Sequence, residues 1–199
     1  MNVQTILVLA SASTARAAML RAAGVPIEVM PARIDEDAVK AAFEAEGAAA
    51  RDLADALAAM KAERVSARAP GALVLGADQV LECDGRRHDK PADKAAARDQ
   101  LIALRGRRHS LFSAAAVALN GAVIWRHVGH ARLTMRQFTD AFLDGYLAQE
   151  GDLVLNSVYR IEGPGAQLFS RIEGDLFTVL GLPLLELLDF LRARGALPE

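Results

Sequence analysis

ALVLGADQVLECDGRRHDKP, residues 72–91, is the stretch from which the fold is read. The apolar run Leu73-Val74-Leu75 meets Gly76-Ala77, and a carboxylate follows at once in Asp78. Strand residues bounded by Gly and Asp predict a strand that stops there and presents a charged side chain. A carboxylate at the end of an apolar strand faces a partner or a cleft, because burying it unpaired is costly. Lys90, returned by a turn at Asp84-Gly85 and followed by Pro91, is one possible partner. Taken alone, the stretch reads better as a surface hairpin with a solvated acid and base.

Working outward toward the N-terminus, Thr5 to Ala10 is a short continuous apolar run, the pattern of a buried strand. It runs into Ser11-Ala12-Ser13-Thr14 and then an Ala-rich helical stretch, Ala15 to Ala23, closed by Gly24. Strand, Ser-rich turn and helix start together suit a phosphate, since free backbone N–H groups and the positive end of the helix dipole face the loop. Arg16 in the first helical turn leans toward the strand's end. Ser11 and Ser13 also serve as ordinary helix caps. Pro26 to Pro31 reads as a second short strand. Asp35-Glu36-Asp37 opens a helix, where carboxylates suit the dipole and Glu36 doubles as a candidate metal ligand.

Arg51 to Arg68 reads as an amphipathic helix with Leu53, Leu57, Met60 and Val65 as its apolar stripe. At about 100° per residue, Lys61 falls inside that stripe. It either snorkels along apolar surface or directs its ammonium into a cleft.

Beyond the central stretch, Asp93 to Leu104 is a helix capped by Asp93 and ended by Gly106. Leu111 to Leu119 and Val123 to Met135 are β-like runs joined at Asn120-Gly121, a strong hairpin signal. The scattered His88, His109, His127 and His130 lack metal-ligand spacing and read as solvated or strand-edge groups. Arg105, Arg107 and Arg108 read as a solvated basic turn. Thr139 to Gln149 is a further helix, Gln167 to Ile172 a strand entered through Gly163-Pro164-Gly165, and Leu184 to Leu191 a closing helix started by Pro183.

The 199 residues suit one domain, 1–199. With 23 basic and 25 acidic residues the net charge is −2, so bulk charge favours neither nucleic acid nor a membrane surface as partner. One cysteine, Cys83, excludes an intramolecular disulfide and any multi-cysteine zinc site, and fits a reducing cytosol. The N-terminal apolar run lacks a charged leader and is too short for a signal peptide or a membrane span. A cytoplasmic location is expected.

In order and spacing, these pieces resemble the Maf family of nucleotide pyrophosphatases over almost the whole chain. The matching residues are LASAS-x-x-R (Leu9 to Arg16), Asp35-Glu36, Lys61-Ala62, Gly76-Ala77-Asp78-Gln79-Val80, Lys90-Pro91, Tyr159-Arg160-Ile161-Glu162-Gly163 and Gly181-Leu182-Pro183-Leu184. The resemblance implies an α/β fold with an elongated mixed sheet flanked by helices, similar to that of inosine-triphosphatase-type enzymes, with a cleft between two lobes. It also implies a divalent metal, Mg²⁺ or Mn²⁺, cleavage of a nucleoside triphosphate to monophosphate and pyrophosphate, and a homodimer. House-cleaning of modified nucleotides, and a link to restraint of cell division, belong to the same expectation.

On that pattern Asp78, Lys90, Lys61 and Glu36 are the catalytic candidates, with Glu36 and Asp78 also the metal ligands. Asp78 acts as general base or holds the metal that polarises water, and sequence leaves both roles open. Ser11 and Arg16 take phosphate. Ala15, Gln79 and Glu162 stand where branches of the family differ in base recognition, and Gln79 with Glu162 resemble the branch acting on 7-methyl-GTP. A carboxylate at Glu162 suits the N1–H and amino edge of guanine and the positive charge of a methylated one. Two departures stand out. Thr14-Ala15 replaces the usual Pro and large residue, which widens the base pocket or weakens phosphate binding. Asn156-Ser157-Val158 runs straight into Tyr159 without the usual Gly and small residue. The rival expectation is a nucleotide-binding regulator of cell division that has lost turnover; a kinase is disfavoured because no GxxxxGK[ST] loop exists.

Overall fold

The computed structural model describes residues 6–198. Thr5, the first residue of the expected N-terminal strand, and the four residues before it lie outside the described residues. The fold is mixed α/β, with a seven-stranded sheet flanked by helices. The chain divides into two compact units, and each is taken in turn.

The first unit takes the described residues up to Val80, Phe112–His130, and those from Asp175 onward. Its centre is β1 (Leu7–Leu9), paired in parallel with β2 (Ile27–Val29) and with β3 (Val74–Cys83). All three β1 residues are buried, which is why the run shows no polar alternation. Between β1 and β2 lies α1 (Thr14–Ala22), whose N-cap Ser13 accepts from the Arg16 backbone N–H. Next come α2 (Glu36–Ala45), capped by Asp35, and α3 (Ala50–Ser66). At the far end α6 (Leu176–Val179) and α7 (Leu184–Ala193) close the unit.

Side chains on a strand alternate between its two faces, and β3 shows what this does. Leu75 and Ala77 join Leu20 of α1 and Leu187 of α7 in one core cluster. Val74 packs with Val65 of α3, and Val80 with Leu57 and Ala58 of α3. Asp78 therefore shares the α3 face, and its neighbour Gln79 the opposite one.

Two expectations change here. The strand does not stop at Gly76; β3 continues to Cys83 and carries Asp78 in its interior. Gly76 marks a close approach rather than an end. A Cβ there would lie 2.5 Å from the Ala62 nitrogen of α3, and nearer still to the Ala58 carbonyl oxygen. The α3 stripe also shifts. Met60 is 38% exposed, and the buried face is made by Ala54, Leu57, Ala58, Lys61, Ala62 and Val65. The alanines let the helix backbone sit close, and they opposite Ala114, Ala116 and Ala118 complete that core.

The second unit is Leu81–Leu111 with Ala131–Gly174. The end of β3 turns through Asp84-Gly85, both at positive φ, into antiparallel β4 (Arg86–His88). After β4 come α4 (Lys94–Leu104), capped by Asp93, and the start of β5 (Arg108–Leu119), which opens three residues earlier than expected. The Asn120-Gly121 turn, in the first unit, joins β5 to β6 (Ala122–Met135), and both turn residues have positive φ as the hairpin signal requires. In the second unit α5 (Asp140–Glu150) begins at the cap Thr139. The strand expected from Gln167 begins instead at Phe169: β7 is Phe169–Glu173, and Pro164–Leu168 forms a 3-10 turn started by its proline. The Arg105 guanidinium is not solvated either; it donates to the Phe138 carbonyl and to Asp140, tying the end of α4 to the cap of α5.

His109 departs furthest from expectation, being 2% exposed. Its Nε2 lies 2.8 Å from the Tyr159 hydroxyl, and both rings pack on Phe169. Burial, and then the neighbouring charge of His88, push its pKa down to about 4. The unfolded chain, with a histidine near 6.5, takes up the proton first. Stability from this group is therefore full above pH 6.5 and lost as pH falls through 4. Denaturation midpoints between those limits should fall more steeply for the wild type than for His109→Gln; parallel curves would mean that His109 is not held neutral.

Candidate active site in the first unit

The strand–turn–helix expected to hold phosphate is built around Arg16. Ser13 caps α1, while the Ser11 hydroxyl accepts from the Ser13 N–H at 3.2 Å and from Arg16 Nη1 at 3.2 Å. Arg16 Nη1 also donates to the Ala77 carbonyl at 3.0 Å, and Nε to the Gly181 carbonyl at 2.8 Å. Nε and Nη1 are thereby used up, leaving Nη2 as the nitrogen with no protein acceptor among the described residues. Burial pulls the guanidinium below its usual range, opposed by the Asp78 and Glu36 charges. The structure holds Arg16 rigidly with one face unspent, the arrangement suited to gripping an anion.

Lys61 settles its own alternatives. Its Nζ lies 2.7 Å from Asp78 Oδ1 and 2.8 Å from Glu36 Oε1, with the residue only 8% exposed. It does not snorkel. The spacing of α3 on β3 brings this about: Gly76 lets Ala62 sit against the strand, so Lys61 faces Asp78. Glu36 arrives from the first turn of α2. One ammonium thus offsets the repulsion between two carboxylates that would otherwise face each other.

Gln79 is not brought to this cluster. Its side chain points to the other face of β3, where Nε2 lies 2.9 Å from Ser113 Oγ and 3.1 Å from each of the Thr178 and Val179 carbonyls. Carbonyls only accept, so they fix which end of the amide is nitrogen. Oε1 is left on the side of Gly181 and the Arg16 guanidinium: a Cβ at Gly181 would lie 3.8 Å from Oε1 and 3.6 Å from Arg16 Nε. Gly181 has φ +102 and keeps that space open. Ser113, Thr178 and the carbonyls of Ala77 and Gly181 escaped sequence reasoning, because backbone acceptors carry no side-chain signature. Ala15 is exposed on the first turn of α1 and adds only a methyl group there.

Lys90 and Glu162 belong to the second unit. Lys90 is exposed in the segment after β4. Glu162 is exposed too, and its Oε1 accepts from Arg160 Nε at 3.2 Å.

Compared with known families, residues 6–194 match the family described as Maf-like protein. The chain belongs to the Maf family. Among curated relatives, a nucleoside triphosphate pyrophosphatase of Paramagnetospirillum magneticum is 54% identical over 95% of this Maf chain and 98% of its own length. Proteins of the same description from Granulibacter bethesdensis and Caulobacter vibrioides are each 52% identical, over 96% and 97% of the Maf chain and 98% of their own lengths. A solved dITP/XTP pyrophosphatase from Mycobacterium abscessus aligns over 98% of the chain at 18% identity and a TM-score of 0.45. Among the described residues of this Maf protein no helix is long and apolar enough to cross a membrane.

No group of three or more acidic, His or Cys side chains that could hold a metal occurs among the described residues. Two hard carboxylates, Glu36 and Asp78, nevertheless suit a hard divalent ion that keeps waters and uses one or two carboxylates beside substrate phosphates. The donor set fits an ion completed by its substrate.

Proposed function

We propose that this Maf protein hydrolyses a nucleoside triphosphate to the monophosphate and pyrophosphate, acting on soluble nucleotides in the cytoplasm. The observation that carries the proposal is the buried Lys61 ammonium joining Asp78 to Glu36, in a unit that also holds Arg16 with its Nη2 free. The relatives' descriptions support the same reaction. Water attacks the α-phosphorus, a P–O bond forms, and the bond to the bridging oxygen breaks with its electron pair leaving on pyrophosphate. Asp78 takes the water's proton. Lys61 holds that carboxylate in place, and Arg16 Nη2 with the Ser11 hydroxyl grips the phosphate. On the family pattern alone, Lys90 is assigned to the triphosphate. Glu36 and Asp78 would hold a divalent ion, which when bound supplies charge neutralisation and a more acidic water.

For the base we propose a guanine nucleotide, with a leaning to 7-methyl-GTP. Gln79 presents a carbonyl oxygen and Glu162 a carboxylate, both acceptors, and guanine offers N1–H and an amino group. Ala15 leaves room beside the site rather than a large side chain. The test is a panel of canonical and modified triphosphates with Mg²⁺ or Mn²⁺, assayed for pyrophosphate. Release from 7-methyl-GTP ahead of dTTP and UTP is expected; preference for the pyrimidines would overturn the base assignment, and no turnover with any nucleotide the reaction itself.

A further inference from the structure

Glu150, at the end of α5, is a buried acid that the reaction above does not use. Its side chain is 4% exposed, and Oε2 has no hydrogen-bond partner among the described residues. A buried carboxylate oxygen left without a donor calls for an explanation. The nearest cation is Arg160, whose Nη1 stands 3.6 Å from that oxygen, beyond hydrogen-bond reach. The same guanidinium donates through Nε to Glu162 Oε1 at 3.2 Å. One arginine therefore stands between two carboxylates, bonded to the exposed one and within an ångström of bonding to the buried one.

The backbone around them has little room to move. A Cβ at Gly165 would run into the Arg160 backbone, 2.9 Å from its nitrogen, and one at Gly163 would touch Glu150 Oε1 at 3.7 Å. The Gly163 and Ala166 N–H groups donate to the Arg160 and Gly163 carbonyls, closing the turn on itself. Side-chain rotation of Arg160 is the motion this leaves open.

We propose that Glu150 is a positioning residue for base selection: it receives the Arg160 guanidinium when a base with N–H donors or a positive charge takes its place on Glu162. The inference rests on the reading of Glu162 as a base acceptor. Without a base, Arg160 neutralises Glu162, so the exposed carboxylate costs little. When the base arrives, Arg160 turns to Glu150 and its charge stays paired, which spares the penalty of stranding a cation. A base with a single N–H and no positive charge, such as thymine, replaces one bond of the guanidinium at most and meets a carboxylate already occupied.

Two variants act in opposite directions. Glu150→Gln removes the charge that receives Arg160, and should raise KM for 7-methyl-GTP about tenfold with kcat unchanged, the loss of one charged hydrogen bond. KM for dTTP should stay as it was. Arg160→Gln removes the competitor, and should leave that KM equal to or below wild type even if Glu150→Gln folds poorly. In a Glu162→Gln background, Glu150→Gln should have no further effect, because the carboxylates act as one unit. An unchanged KM in Glu150→Gln, a rise in Arg160→Gln, or the same rise with and without Glu162 would overturn the exchange. If Glu162→Gln alone leaves discrimination between 7-methyl-GTP and dTTP intact, the reading of Glu162 falls and the exchange with it.

Discussion

Asp78→Asn lowers pyrophosphate release by about 10²–10⁴-fold, the range associated with losing a positioned general base. Asparagine keeps the shape of the side chain and still offers Oδ1 to Lys61, now 2.7 Å away as an ion pair. Glu36, at 2.8 Å, remains as a charged partner, so the ammonium is not stranded. The fold and its melting temperature should therefore change little, while turnover falls. The measurement is steady-state pyrophosphate release beside a thermal melt of the same preparation. Turnover near the wild-type value would remove Asp78 from the reaction, whatever its place in the structure.

Lys61→Met is expected to damage both. Methionine approximates the length of lysine and keeps the apolar contacts of α3, but takes away the cation bonded to both carboxylates. Asp78, with a side chain 13% exposed, then faces Glu36 with only the more distant charge of Arg16 to offset the repulsion. Breaking a buried pair costs about 3–5 kcal/mol when both partners are enclosed. Glu36 is 40% exposed, so water relieves part of this, and a loss of about 3 kcal/mol is the expectation. Chemical denaturation gives that number, and activity should fall with it because the carboxylates no longer hold their positions. Unaltered stability would show that solvent, not Lys61, balances the two acids. The pair of variants separates the two proposed roles: an acid for the chemistry, and a base beside it that keeps the acids together.

Much of this arrangement is visible in the chain. The apolar runs of β1 and β3, the Ser13 cap, the positive-φ turns at Asp84-Gly85 and Asn120-Gly121, and the gathering of Glu36, Lys61 and Asp78 all follow local rules or the family pattern. What escaped has common physical causes. Gly76 looked like a terminator because glycine ends strands often, and nothing local reveals a helix backbone lying against it. Met60 looked buried because stripes are traced through large side chains, whereas α3 packs through alanines. His109 looked solvated because a lone histidine carries no sign of the tyrosine that meets it fifty residues on. Arg16 was foreseen as leaning on the strand's end, but its carbonyl partners, Ala77 and Gly181, have no side-chain identity to read. Each miss is a long-range contact, made by small residues, by backbone or, for His109, by rings distant in the chain.

Gly76 gives the molecule an unusual vulnerability. Substituting every position in turn with alanine would score it beside the ionisable groups, since one methyl there levers α3 off its seat and drags Lys61 from its acids. Yet it holds no proton and grips no phosphate. Its contribution is room, and engineers who treat strand glycines as free sites for stiffening the chain would disarm the protein without touching a charge.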